Sequence, residues 1–212
     1  TLRLRYFLDD PKELRDFRFD PRAWSWSGGA LRRGTLPPAA RDAGRPAAFA
    51  APLDGVALFR TPAVVEVAWA APQGSGGRIL VGLGDRFIAL GPAGILAVWR
   101  GPLEDGRLPE TPVRSGSVGS RKVLQRYTLE FREDRIVTDV TDLGRMEFPL
   151  EPVLPGLQGP EAVPAREAVD PAAAIPCRLT IALDPGAALE DVSITGILDP
   201  IWMHARIEAL GR

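Results

Sequence analysis

Between residues 56 and 100 the chain is cut into short apolar runs by turn-forming residues, and this rhythm admits few folds. The runs fall at 56–60, 63–71, 78–83, 86–90 and 95–100. Between them stand Thr61-Pro62, Pro72-Gln-Gly-Ser-Gly-Gly77, Gly84-Asp85 and Gly91-Pro-Ala-Gly94. Strands at this spacing, with turn residues between them, predict an antiparallel sandwich or barrel. A parallel α/β sheet would need crossover helices of about ten residues or more, and the gaps have no room for them. The fold class is therefore all-β.

The flanks read the same way. Leu2, Leu4 and Tyr6 alternate with Arg3, Arg5 and Phe7, which predicts a first strand with one basic face. Asp9-Asp10-Pro11 ends it, and 11–16 reads as a helical turn capped by Asp10. Phe17-Arg-Phe19 and Trp24-Ser-Trp26 are short alternating pieces, and Gly28-Gly29 turns the chain into 30–33. Residues 36–46 and 101–119 read as loops. Stretches 122–131 and 135–140 form an expected hairpin across Arg132-Glu-Asp134, followed by a strand at 145–150. Residues 151–176, rich in Pro and Ala, lack a clean period and are expected to be a crossover loop.

The chain closes with strands at 177–183 and 192–195 and a helix over 199–210. That helix is expected to pack on the sandwich, with Trp202 as anchor and Ile201, Ala205 and Leu210 on its buried side. Residues 1–212 are expected to form one domain.

Composition excludes more than it selects. A chain of this length buries roughly 70% of its unfolded surface, so it needs no disulfide or metal for stability. Cys177 is the single cysteine, which rules out an internal disulfide and a multi-cysteine zinc site. The net charge of −1 leaves no electrostatic footprint for nucleic acid or an anionic membrane. No apolar run approaches the ~18 residues of a membrane span. Lys12 and Lys122 are the only lysines among 26 basic residues, and asparagine is absent, so there is no N-glycosylation sequon. With abundant Ala, Gly, Pro and Arg, this bias points to a GC-rich genome, and a bacterial parent protein is expected. The start at Thr1, without methionine or a signal-peptide core, suggests a processed or excised piece of a larger protein.

In its order of elements the chain resembles the concanavalin A-like lectin/glucanase superfamily, a two-sheet jelly roll. Phe17-Arg-Phe-Asp-Pro-Arg-Ala-Trp24-Ser-Trp26-Ser-Gly-Gly-Ala-Leu31 is similar to the opening of its laminin-G-like and glycosidase-16-like members. Ala63-Val-Val-Glu-Val-Ala-Trp69, then Gly77-Arg-Ile-Leu-Val-Gly-Leu-Gly84, is similar to their central strand pair. Asp191-Val-Ser-Ile-Thr-Gly196 is similar to the last strand, which pairs back near the first. The resemblance implies a jelly-roll sandwich and an extracellular or periplasmic location. It does not choose among lectin, hydrolase and interaction module, because this fold hosts all three.

The chemistry is sparse. The Glu-x-Asp-x-x-Glu strand motif of the hydrolase members has no match; Leu103-Glu-Asp-Gly106 lies in a loop and Glu130-Phe-Arg-Glu133-Asp134 spans a turn. Glycosidase carboxyl pairs stand about 5–10 Å apart, which Glu66 with Glu130 or Asp139 could satisfy across strands. Solvated strand-face charges are the plain alternative. His204 is the one histidine, and no serine sits in a Gly-x-Ser-x-Gly elbow, so neither His204 nor Cys177 is read as catalytic. Gly82-Leu-Gly84-Asp85 and Gly74-Ser-Gly76-Gly77 open no helix and read as hairpin turns, not phosphate loops. No cofactor is expected; Asp9-Asp10 and Asp139 with Asp142 are the oxygen pairs that would suit Ca²⁺.

Tryptophan carries the binding argument. Trp69 shares parity with Val65 and Val67 and belongs to the core; Trp24 and Trp26 share a face that covers a sheet edge. Trp99, beside Arg100 at a strand end, is the least clearly buried. Glu66, Arg126, Thr128 and Glu130 fall on the polar parity of the middle strands. Glu66, Trp99, Arg126 and Glu130 are thus the candidate ligand-binding residues, against the alternative of a solvated outer face. The chain reads as a non-catalytic module binding carbohydrate or another protein. The alternatives are a glycoside hydrolase, or an assembly domain contacting neighbours through its Arg-rich first strand and terminal helix.

Overall fold

A computed structural model describes residues 1–8, 11–34, 51–71, 77–91, 94–101, 108–109, 111–115, 124–140, 144–150 and 176–210. The expected loop at 36–46, nearly all of the 151–176 crossover, the Asp10 cap and the Gly74-Ser-Gly76 turn lie outside these residues. The strands are β1 (Leu2–Tyr6), β2 (Phe17–Arg18), β3 (Trp24–Ser27), β4 (Ala30–Arg33), β5 (Leu53–Ala70), β6 (Ile79–Leu83) and β7 (Arg86–Gly91). They continue with β8 (Gly94–Arg100), β9 (Arg114–Ser115), β10 (Leu124–Phe131), β11 (Arg135–Val140), β12 (Gly144–Pro149), β13 (Cys177–Leu183) and β14 (Ala188–Leu198). A 3-10 helix spans Pro11–Asp16, and α1 (Pro200–Leu210) closes the chain.

Strand β5 joins two layers. Its first half pairs with β13 on one edge and β2 on the other; its second half pairs with β10 and β14. Sheet I therefore runs β9-β8-β7-β6-β13-β5-β2, and sheet II runs β12-β11-β10-β5-β14. Strand β1 and the β3–β4 hairpin pair with the far edge of β14. The sequence predicted two strands divided by Thr61-Pro62, but residues 53–70 are one continuous strand. Pro62 is tolerated because its missing N–H falls where β13 pairing has ended and β10 pairing has not begun, opposite a bulge in β14.

Alternation along β5 explains the layering. Phe59, Ala63, Val65, Val67 and Trp69 are buried, and the residues between them are mostly half-buried or exposed. In the core, Ile79, Val81, Leu83, Ile88, Leu179 and Ile181 of sheet I meet Val65, Val67, Tyr127, Leu129, Phe131 and Val192 of sheet II. Each such side chain contributes about 1.5–3 kcal/mol. Tyr127 is fully buried among them, its hydroxyl donating to the Gly91 carbonyl at 3.3 Å, and burial pushes its phenol up to about 12. The expected turns also form: Gly28 and Gly29 take φ of 63° and 72° between β3 and β4, the pairing of positive angles a type I′ hairpin requires.

The terminal helix differs from its expectation. Trp202 does pack against the core, but Ile201 is 79% exposed, Ile207 61%, and Ala205 is also exposed. Successive helical residues are rotated by about 100°. Turning Trp202 toward the sandwich, and Arg206 toward Asp16 at 3.5 Å, therefore aims Ile201 and Ile207 away from it. Among its described side chains, Trp202 is the apolar anchor and Arg206 the ion pair to the sandwich, and the Leu210 side chain lies outside those described.

Candidate functional site

Three of the four sequence-derived candidates share a face. Arg5, Ser193, Glu66, Thr128, Asp139 and Arg145 are successive cross-strand partners over β1, β14, β5, β10, β11 and β12. They form one polar row on the outer side of sheet II. Adjacent rows carry Glu130 with Arg3 and Arg126 with Asp191. The row is largely closed by ion pairs. Glu66 accepts from Arg3 and, at 2.9 Å, from the Ser193 hydroxyl; Asp191 accepts from Arg5 at 2.8 Å and lies 3.5 Å from Arg126. Glu130 accepts from Arg132 at 2.8 Å and lies 3.5 Å from Arg145. Exposed pairs of this kind contribute about 0–1 kcal/mol each.

Glu66 and Asp139 stand two strands apart, roughly 10 Å between backbones, inside the range of a glycosidase pair. Their surroundings are solvated and rich in arginine. A glycosidase's general acid keeps its proton in the opposite setting, an apolar pocket.

Trp99 stands elsewhere, on the outer side of sheet I. Here Arg18, Asp54, Thr180, Gly82, Phe87 and Trp99 are successive partners across β2, β5, β13, β6, β7 and β8. Leu80, Phe87, Ala89 and Ala182 form a second apolar cluster on this side, with Trp99 and Leu108 packed against it. The Phe87 ring lies over Gly82: a Cβ there would come within 2.3 Å of it, so only glycine admits the ring. Beside this floor the Thr180 hydroxyl donates to Asp54 at 2.8 Å, and Arg178 lies on the same side of β13. Aromatic ring, hydroxyl, carboxylate and guanidinium thus share one face, but Phe87, Leu80, Ala89, Ala182 and Thr180 are buried on it, and Trp99, Asp54 and Arg178 are its partly exposed groups.

Sequence reasoning did not single out Asp54, Phe87, Arg178 or Thr180. Two signals were present. Strands β6 and β7 read Ile-Leu-Val-Gly-Leu and Arg-Phe-Ile-Ala-Leu-Gly, nearly unbroken apolar runs, and a strand apolar on both parities is covered on both faces. In β13 the parity of Leu179 and Ile181 sends Arg178 and Thr180 outward.

The remaining reactive side chains are engaged or solvated. Cys177 is buried, its sulfur accepting from Arg86 at 3.4 Å, and burial pushes the thiol up while the guanidinium pulls the other way. Arg86 also donates to the Arg132 carbonyl at 2.8 Å, tying β7 to the β10–β11 turn. His204 is exposed on α1, 3.3 Å from Glu208. Gly84 sits at φ 66° in the β6–β7 hairpin turn, as expected. Among the described residues no three acidic, histidine or cysteine side chains converge on a metal site. Asp139 is exposed on sheet II, while Asp9, Asp10 and Asp142 lie outside the described residues.

No family model matches the chain, and no curated protein does. Solved structures do. Crh5 transglycosylase in complex with NAG aligns at TM-score 0.52 and 12% identity, over 92% of this chain and 84% of that one. The Bacillus licheniformis beta-glucanase aligns at TM-score 0.50 and 8% identity, over 91% and 97%. The fold is the concanavalin A-like jelly roll. A toad ovary galectin, solved with N-acetylgalactose, aligns over 66% of this chain and 98% of its own at TM-score 0.39 and 14% identity. These jelly rolls comprise both glycosidases and carbohydrate-binding lectins, and none of the described helices is long and apolar enough to cross a membrane.

Proposed function

We propose that this chain is a non-catalytic carbohydrate-recognition module, with its ligand on the outer face of sheet I. The observation that carries this reading is half-buried Trp99 at the β8 end of a transverse row whose other end holds the partly exposed Asp54 and exposed Arg18. A sugar ring offers an apolar face and a rim of hydroxyls, so it needs an aromatic platform beside hydrogen-bonding groups. Half-buried Trp99 supplies the first and partly exposed Asp54 the second, while Phe87 is buried beneath the face. Sheet II supports the role less well, because its candidates Glu66, Arg126 and Glu130 are bound to one another's neighbours in ion pairs and none of its outward residues in those rows is a tryptophan. The non-catalytic part rests on the same row, where Asp54 is the single carboxylate; a glycosidase needs two.

A glycan array probed with the wild-type chain, Trp99→Ala and Glu66→Ala tests the reading. Retained glycans should be lost with Trp99→Ala and kept with Glu66→Ala. Silence of the wild type on every glycan sinks carbohydrate recognition. Loss with Glu66→Ala alone moves the site to sheet II.

A further inference from the structure

Six large apolar side chains are exposed among the described residues: Leu2, Phe7, Ile197, Ile201, Met203 and Ile207. All fall within residues 2–7 and 197–207. Phe7 has a cover of its own, the Arg5 guanidinium 4.2 Å from its ring centroid. The other five lie on α1 and at the strand ends from which it starts. Leu2 pairs with Gly196 and so stands beside Ile197, and α1 begins soon after at Pro200.

The sandwich takes Trp202 and Arg206 from this helix. At about 100° per residue, the opposite side carries His204 and Glu208 with Ile201 and Ile207 next to them and Met203 at the margin. A β-branched apolar residue at an exposed helical position gains nothing from water and has a lower helix propensity than a straight-chain one. Two of them share this one outward face. An apolar group of this kind, set among polar residues, marks a surface that another surface covers.

The arrangement fits a second copy of α1 laid antiparallel across a two-fold axis. His204 and Glu208 stand one turn apart, equally far on either side of Arg206. An antiparallel copy with the axis at that level reverses their order, so each Glu208 carboxylate faces the His204 imidazole of the other copy. Ile207, one residue from the axis, then meets Ile207 of the other copy. Arg206 adds no like charge at the centre, because it is turned toward Asp16. A lipid surface fits this face less well, since the face holds no lysine and has a carboxylate in its middle.

We propose that the outward face of α1 is a self-association surface that pairs two copies of this chain antiparallel about Arg206, with Leu2 and Ile197 at its rim. The eleven residues of α1, with these two and their neighbours, reach the lower end of specific interfaces, about 1,000 Å² in total. The dimer is therefore reversible and forms with rising concentration. It leaves the outer face of sheet I open and does not depend on the carbohydrate reading.

Sedimentation velocity of the full chain, from low to high micromolar concentration, tests the proposal. Wild type should pass from monomer to dimer. Ile207→Glu and Ile201→Glu should each weaken the pairing roughly tenfold or more. Both positions are exposed, so melting temperatures of the dilute variants should match wild type. Cysteine substitution reads the orientation. Cys177 is buried, so the thiol introduced by Ile207→Cys is the accessible one. Mild oxidation should give disulfide-linked dimers faster in Ile207→Cys than in Arg114→Cys, an exposed position on β9 at the far edge of sheet I. A wild type that stays monomeric throughout overturns the proposal. So does a dimer that both Glu variants leave intact, or equal cross-linking at the two cysteine positions. None of these outcomes bears on glycan binding, which the array decides separately.

Discussion

At Asp199 three donors converge on one buried carboxylate. Its Oδ1 accepts from the backbone N–H groups of Trp202 at 3.0 Å and Ile201 at 3.1 Å, and its Oδ2 accepts from Arg60 at 3.2 Å. The residue thus ends β14, caps α1 and ties both to β5. These contacts, the Trp202 N–H foremost, hold the carboxyl below the usual carboxylate range. The linkage has a definite sign: the depressed value adds stability above the unfolded value of about 3.9, and that stability is lost as pH falls through the folded value. Asp199→Asn keeps a capping oxygen but loses the charge. Its melting temperature should lie below wild type at pH 7, and the gap should close as the pH is taken below about 4. A gap that stays constant from pH 7 to pH 2, followed by circular dichroism, refutes this account. The sequence showed a helix start at Asp199-Pro200, but Arg60 as its partner comes from a register that no local pattern encodes.

Helix α1 shows where element-level reading stops. Its start and length were legible from the change of period, and Trp202 was legible as its anchor. Which side would be buried was not, because the rotation of a helix is set by what it docks against, and among its described side chains Trp202 and Arg206 dock. An element held by so few contacts opens locally long before the whole molecule does. Trp202→Ala should therefore raise amide exchange across residues 201–210 to near the unstructured rate while leaving β5 and β10 protected. Uniform loss of protection in hydrogen-exchange mass spectrometry would show instead that α1 unfolds only with the sandwich. Strand β5 is the complementary case: alternation revealed both halves, and Pro62 suggested a break that the handover of neighbours made unnecessary.

The whole molecule presents two unlike faces over one core, and period-two patterning accounts for the core and for sheet II. Val65, Val67, Tyr127 and Leu129 alternate with Glu66, Arg126, Thr128 and Glu130, so inward and outward sets separate cleanly. Sheet I does not separate, because Leu80, Phe87 and Ala89 are apolar on the side away from the core. The same mixing hid Trp99's neighbours and led sequence reasoning to set it beside Glu66. Energetically the layers also differ. Trp69 is fully enclosed between them, whereas the ion pairs of sheet II remain in contact with water. Trp69→Ala should therefore cost about 3–5 kcal/mol in urea denaturation. Glu66→Gln and Arg145→Gln should each cost less than about 1 kcal/mol, a difference that shrinks further in high salt. Should either charge substitution approach the cost of Trp69→Ala, the polar row of sheet II is not a solvated face but part of what holds the sandwich together.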